Sequence, residues 1–526
     1  MRSKRCRPTL IRFNLHVLLI VSVFLCPAAV RSQSTTNQPG TPIDVTAQDL
    51  EANEIRNNWL SYHGDLTGRR YSALKEITPD NITQLQLKWV FHSRKVRVLG
   101  APPVVVGGVM YMTASNDLFA IDGRTGVVLW HHTRQETASE KEDESAHINR
   151  GLAVLSNKLY METDNAHLLC LDARSGNVLW EVPFADRYAG YGGVSAPLAV
   201  RDKVIVGASG GKEFPGGFLV AFDASSGKEI WRFGMRPASN QSNSPNSPAE
   251  AREYHDHNWM PGTYDPELDL IFWEIGGQSC GSEMSAQPVT VQHGGCLLAL
   301  ESSTGKLKWQ SPLPNQELLS PAISGIPMLV DTLYQEAPRK LIIEVHDDGL
   351  LDIFDRETGK LLGQRNSDSM TSSKNTCTEE KLSQSWNPPS YSEQTHIFYF
   401  MGLQDCPVRS AQPAVVHLAP GPKAESKSIG KSTLLAYDLA SDRLAWKDDS
   451  ATIDPAPAGV MTTASGLLLF GGKAQSFQAA DAASGKVLWS FPMGQSPTGS
   501  PMSYSIAGNQ YFAIAAGNDL FVFGLP

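Results

Sequence analysis

The chain has 526 residues, with 45 Lys and Arg against 54 Asp and Glu and a formal net charge of -9. Nucleic acid and anionic membrane surfaces reward clustered cations, so this balance argues against both as partners. Its 41% hydrophobic and 19% charged residues are ordinary for a globular protein with a large core and exclude a chain disordered throughout.

Residues 1–33 read as a secretory signal peptide: Arg2, Lys4, Arg5, Arg7 and Arg12 precede an apolar run from Leu15 to Leu25, and small residues follow at Ala28 and Ala29. The run is short for a membrane span, and no later stretch approaches the roughly 20 apolar residues a span requires. The mature protein is therefore expected to be periplasmic or secreted and not membrane-spanning. Residues 34–57 read as a flexible N-terminal extension and 58–526 as one domain. Export means an oxidising compartment, so Cys170, Cys280, Cys296, Cys377 and Cys406 are disulfide candidates before they are metal ligands. Cys170, inside the apolar run LLCLD, is expected to be a buried thiol. The other four can pair as 280–296 and 377–406. No C-x-x-C-H occurs, so no covalently attached haem is expected.

A motif then recurs: LFAIDGRTGVVLW (118–130), LLCLDARSGNVLW (168–180), LVAFDASSGKEIW (219–231), LLALESSTGKLKW (297–309), LDIFDRETGKLLG (351–363), LLAYDLASDRLAW (434–446) and FQAADAASGKVLW (477–489). Each reads as an apolar strand, a tight turn and a second strand closing on Trp. The Asp can accept from backbone amides ahead of it, and the Gly takes up positive φ. LKWVF, with Trp89 in the closing position, makes an eighth unit. The units lie about 40 to 54 residues apart except for two longer gaps, which suits a four-stranded antiparallel sheet repeated around a channel. The fold class expected is all-β, an eight-bladed β-propeller of four-stranded antiparallel blades. Each Trp should fill the space between blades, covering apolar area worth roughly 2 to 3 kcal/mol. The unit ending at Gly363 lacks that ring, and the final strand NDLFVFGLP should close the circle with the first unit.

The repeated A-x-D-x-x-T-G-x-x-x-W pattern resembles the tryptophan-docking motif of quinoprotein alcohol dehydrogenases. NWLSYHGDLTGRRYSALKEITPDNITQLQLKWVF (58–91), INRGLAV (148–154), GTYDPELDLIFW (262–273) and PRKLIIEVHDDGLLDIFDRETGKLL (338–362) extend the resemblance from about residue 58 to the end. It implies a pyrroloquinoline quinone (PQQ) and a Ca²⁺ ion near the propeller axis, a small alcohol as substrate, and a separate electron acceptor such as a c-type cytochrome. A Lewis acid polarises the quinone carbonyl, and a carboxylate accepts the hydroxyl proton as hydride leaves carbon.

Residue by residue, the resemblance makes Arg150 the partner of a PQQ carboxylate, a task for a planar bidentate donor. The plain alternative is an arginine bridging blades. Trp259 falls where a ring stacks under the quinone, or else between blades as core. Trp386 and Ser195 fall at further cofactor-side positions, with Ser385 where the family has Asn. Glu213 is the carboxylate available for the metal, although a gapless alignment gives Lys212 that place. Where the family has a ligand Asn stands Gly277. Between residues 310 and 330 there is no Asp, which leaves Glu317, after Gln316, as the substitute base. Asp347 stands where a cation is expected, and residues 144–147 read ESAH in place of an adjacent cysteine pair. Two readings follow: a PQQ-linked alcohol dehydrogenase, or a propeller that has lost catalysis and serves as a binding or assembly scaffold.

Overall fold

The Asp-x-x-x-Gly segments fold as tight hairpins for a local reason. In the first, Asp122 Oδ1 accepts from the amides of Arg124 and Thr125, each at 2.9 Å, while Gly126 turns the chain at φ +76°. The flanking strands Asp117–Asp122 and Val128–Thr133 then pair antiparallel, with Ala120 opposite Trp130. The computed structural model describes residues 43–52, 55–94, 98–134, 149–163, 165–186, 191–192, 195–210, 217–234, 261–275, 296–313, 325–345, 350–366, 381–383, 388–405, 431–448, 458–472 and 474–526. All belong to one compact unit running from Asn37 to Pro526.

Among the described residues the strands form eight antiparallel sheets, each built on four successive neighbours. The innermost strands of blades one to eight are Val104–Val106, Leu152–Leu155, Leu198–Val200, Thr263–Asp265, Met328–Tyr334, Ser390–Ser392, Met461–Thr463 and Met502–Ile506. The recurring hairpins supply the two outer strands of blades one to seven. Blade eight takes its outermost strand, Gln86–His92, from the start of the domain, paired antiparallel with the final strand Asp519–Gly524. This closes the ring as expected.

Six of the docking Trp residues lie on the Gly of the following blade, whereas Trp489 packs on Phe477, Phe491 and Phe523. A Cβ added to Gly126, Gly176, Gly227, Gly305, Gly359 or Gly485 would stand 2.4 to 2.9 Å from the ring of Trp89, Trp130, Trp180, Trp231, Trp309 or Trp446 respectively. The Gly is thus required twice, for its φ and for its missing side chain. Most of the indoles also donate across the seam, as Trp231 Nε1 does to the Ser302 carbonyl at 2.9 Å. Tyrosines reinforce several seams, with Tyr111 Oη donating to the Ala173 carbonyl at 2.9 Å beside Trp130.

The seam between blades five and six is different. Gly363 stands where the Trp should be, and Asp442, at φ +55°, stands where the next blade's Gly should be. With no ring to receive, that position tolerates a side chain. Asp442 uses it to bind Arg365 of blade five, whose Nε is 3.0 Å from Asp442 Oδ1 and 3.1 Å from Tyr437 Oη.

The segment 55–72 circles the axis. Its carbonyls accept from the inner strands in turn: Asn57 from Ser505, Trp59 from Val105, Leu66 from Tyr264, Thr67 from Leu329, Arg69 from Tyr391 and Arg70 from Thr462. The inner edges of six blades are thereby satisfied by one stretch of chain. The stretch ahead of residue 58, expected as a flexible extension, is packed where it is described. Ile43, Val45, Leu50 and Ile55 are buried, and Val45 exchanges backbone hydrogen bonds with Ser156. A helical turn, Ala47–Glu51, is held by a capping box on Thr46. Cys170 is a free, buried thiol. Cys296 is disulfide-bonded, to a partner outside the described residues.

Candidate functional site

In sheets that run up and down, the turns after the first and third strands share one face, the turn face. The connections after the second and fourth strands share the other, the loop face. Side chains at the loop-face ends of the inner strands converge on the axis, above the encircling segment.

Arg150 precedes the inner strand of blade two and is buried, with 4% of its surface exposed. Its backbone is clamped by Asn149, whose amide donates to the Glu162 carbonyl at 2.9 Å and whose carbonyl accepts from the Gly151 amide at 2.8 Å. A Cβ at Gly151 would lie 3.5 Å from Ala196 Cβ and 3.6 Å from both Ala101 Cβ and Tyr62 Cδ2. Blades one, two and three therefore meet Tyr62 of the encircling segment here.

Tyr62 links two buried cations. Its side chain hydrogen-bonds Arg150, and its carbonyl accepts from Arg70 Nη1 at 3.0 Å. Arg70 reaches the loop-face ends of blades seven and eight through the carbonyls of Val460 and Pro501, above the Trp59 ring at 5.2 Å. Burial lowers both guanidinium pKa values to about 10, which leaves both charged at neutral pH. Arg69, next to Arg70 on the encircling segment, is paired with Asp65 at 3.0 Å and with Glu393, so it adds little to the field.

Two further groups at this end are held neutral. Burial, with some help from Arg70, lowers the His63 pKa well below the usual imidazole range, and neither ring nitrogen has a hydrogen-bond partner. His63 lines a small cavity with Tyr62, Asp65, Ala153, Leu198 and Pro261. Glu162, at the end of blade two's second strand, is pushed well above the carboxylate range by burial, with hydrogen bonds involving Ser195 and Gly207 as smaller opposing effects. Low-dielectric surroundings strengthen the charge of the two guanidiniums. Chemically this end suits an anion.

Of the residues singled out in the sequence, Arg150 and Ser195 lie at this end, on adjacent blades and buried. The Ser195 hydroxyl donates to Glu162 Oε1 at 2.9 Å. Trp259, Trp386, Glu213 and Glu317 lie outside the described residues, as do Lys212, Gly277, Gln316 and Asp347. Among the described residues no group of three or more His, Cys, Asp and Glu is gathered to hold a metal. Tyr62, Arg70 and Glu162 were not singled out. Glu162 did leave a signal, as a carboxylate ending the apolar run KLYME.

The family model described as "PQQ: Glucose/ethanol/alcohol dehydrogenase, beta-propeller domain" matches residues 59–395 and 431–512. The quinohemoprotein alcohol dehydrogenase ADH IIB of Pseudomonas putida is 27% identical, over 91% of this chain and 76% of its own length. The 1-butanol dehydrogenase (cytochrome c) of Thauera butanivorans is 28% identical, over 87% of this chain and 74% of its own. Among solved structures, the quinohemoprotein alcohol dehydrogenase ADHIIG of Pseudomonas putida HK5 superposes with a TM-score of 0.72 at 24% identity, covering 92% of this chain and 82% of that one. A europium-containing methanol dehydrogenase gives 0.70 at 22%, covering 91% and 100%. At such identities the superpositions speak for the fold.

Proposed function

Because the chain belongs to the PQQ glucose, ethanol and alcohol dehydrogenase β-propeller family, we propose that it is an exported quinoprotein dehydrogenase-like protein. It oxidises a small alcohol at its CH–OH carbon and passes the electrons to a separate acceptor such as a c-type cytochrome. The observation that carries this reading is the pair of buried arginines joined through Tyr62 at the loop-face end of the axis. PQQ bears carboxylates, and a buried guanidinium is suited to such an anion as a charge-assisted donor.

When bound, PQQ supplies the two-electron oxidant, and Ca²⁺ beside it the Lewis acid. Arg150 holds a carboxylate of the ligand. Arg70, whose fork is largely taken up by carbonyl oxygens, contributes its field. By the resemblance, Trp259, Trp386 and Ser195 would contact the cofactor, Glu213 would be the carboxylate for the metal, and Glu317 would be the base. Cys280 with Cys296 and Cys377 with Cys406 are the pairings proposed for the exported chain, which non-reducing peptide mapping can read.

A second reading, a propeller impaired in catalysis, is favoured by Gly277, which offers no side-chain oxygen, and by the lack of any Asp between residues 310 and 330. The two meet in one experiment, the reconstitution of purified protein with PQQ and Ca²⁺ followed by dye reduction with simple alcohols. Cofactor uptake with weak turnover is expected, and Gly277→Asn with Gln316→Asp should raise the Ca²⁺-dependent affinity or the rate. Absence of any PQQ uptake would contradict the proposal. Ordinary rates of about 1 to 1,000 per second from the unmodified protein would remove the impaired reading and make Glu317 and Glu213 the first residues to substitute.

A further inference from the structure

Glu162 is one of two buried carboxylates at its position in the blades, the other being Glu274 of blade four. It lies four residues after the strand residue paired with the turn carboxylate, and the corresponding positions in blades one and three to seven are Thr113, Gly207, Glu274, Val345, Met401 and Gly471. It is 1% exposed. Oε1 accepts from the Ser195 hydroxyl at 2.9 Å, whereas Oε2 is buried with no close hydrogen-bond partner among the described residues. Burial holds the group protonated well above the usual carboxylate range. A carboxyl oxygen so deeply buried calls for an explanation.

The location offers one. The Asn149 side chain ties the Glu162 carbonyl to the residue before Arg150. Ser195, which holds the other oxygen, adjoins Ala196, and Ala196 packs with Tyr62. The ionisable groups of this end are Arg150 on the same blade and Tyr62, His63, Asp65, Arg69 and Arg70 on the encircling segment, with Asp65 and Arg69 paired to each other. Of these, Arg150 stays cationic across the physiological range.

We propose that Glu162 is a ligand-binding residue of the axial site, whose buried Oε2 meets the quinone held by Arg150 through a hydrogen bond. The inference rests on the PQQ reading above. An ionised Glu162 would place negative charge beside a carboxylate or quinone oxygen, so affinity must fall as pH rises and the proton is lost.

The test is to titrate the full-length purified protein with PQQ from about pH 6 to about pH 9, and to record the infrared carboxyl band of the PQQ-free protein. Wild type should bind tightly at the acid end and lose affinity toward the alkaline end, by up to about tenfold per pH unit. Glu162→Gln keeps a donor and cannot ionise, so it should bind with a flat profile. Glu162→Ala should bind about tenfold more weakly, also with a flat profile. The protonated carboxyl band should be present in wild type and missing from Glu162→Gln. An unchanged pH profile in Glu162→Gln, or an ionised Glu162 at neutral pH, overturns this role and leaves the PQQ reading standing. Failure of every protein, wild type included, to take up PQQ at any pH overturns both.

Discussion

The turn face and the loop face of the propeller are built on opposite principles. On the turn face one device recurs around the ring, an Asp-capped turn whose Gly receives the Trp of the blade before. On the loop face the buried polar side chains near the axis follow no repeat: Arg150 in blade two, Ser195 in blade three, Arg70 and Tyr62 on the encircling segment. Repetition makes the first robust, and the seam between blades five and six shows how far that goes. There the Trp and its receiving Gly have both gone, and Arg365 with Asp442 joins the blades instead. The loop face has no second copy to fall back on.

The difference can be sharpened first where packing is heaviest. Trp231→Ala removes a buried ring and its bond to Ser302 and should cost about 3–5 kcal/mol, read from chemical denaturation. A cost under about 1 kcal/mol would show that docking does not hold the seams. Next, Gly305→Ala forces a Cβ at φ +67° to within 2.5 Å of the Trp231 ring and should cost about 1–3 kcal/mol. Asp442→Gly, at the equivalent turn in the polar seam, loses a partly buried ion pair but suits a φ of +55°, and should cost about 1 kcal/mol. Equal costs would break the distinction between the two kinds of seam.

A smaller effect belongs to the axis. His63 is neutral in the fold because burial lowers its pKa well below 6.5, so as pH falls through about 6.5 the unfolded chain takes up a proton that the folded one does not. Stability should therefore drop on the acid side, by at most about 1.4 kcal/mol per pH unit from this group, and be flat in this respect at higher pH. His63→Phe should reduce that acid-side slope in denaturation midpoints. The same slope in both proteins would assign the loss to other groups.

The turn face was legible in the sequence because its physics is local. The Asp, the Gly and the Trp of each hairpin lie within a dozen residues, and Trp89 announced the closing strand even without its hairpin. The Gly363 gap was visible too, but its compensation was not, since Asp442 lies in the next blade and only packing reveals that it replaces a Gly no longer needed. The path of residues 55–72 was likewise hidden, because hydrogen bonds to six inner strands leave no periodicity in the segment that makes them. Arg150 and Ser195 were picked out by resemblance, and the structure puts both at the loop-face end. Glu162 was passed over because a lone carboxylate at the end of an apolar strand reads as a strand boundary, and only the three-dimensional contact with Ser195 shows that it is buried there.

The central claim, that the loop-face end of the axis is built to hold PQQ through Arg150, is tested most directly by PQQ titration of wild type beside Arg150→Ala in the presence of Ca²⁺. Wild type should take up the cofactor. The variant should bind roughly 10- to 100-fold more weakly, the range expected for a lost charge-assisted hydrogen bond, while keeping a cooperative unfolding transition. A folded Arg150→Ala protein that binds PQQ as tightly as wild type would contradict the account.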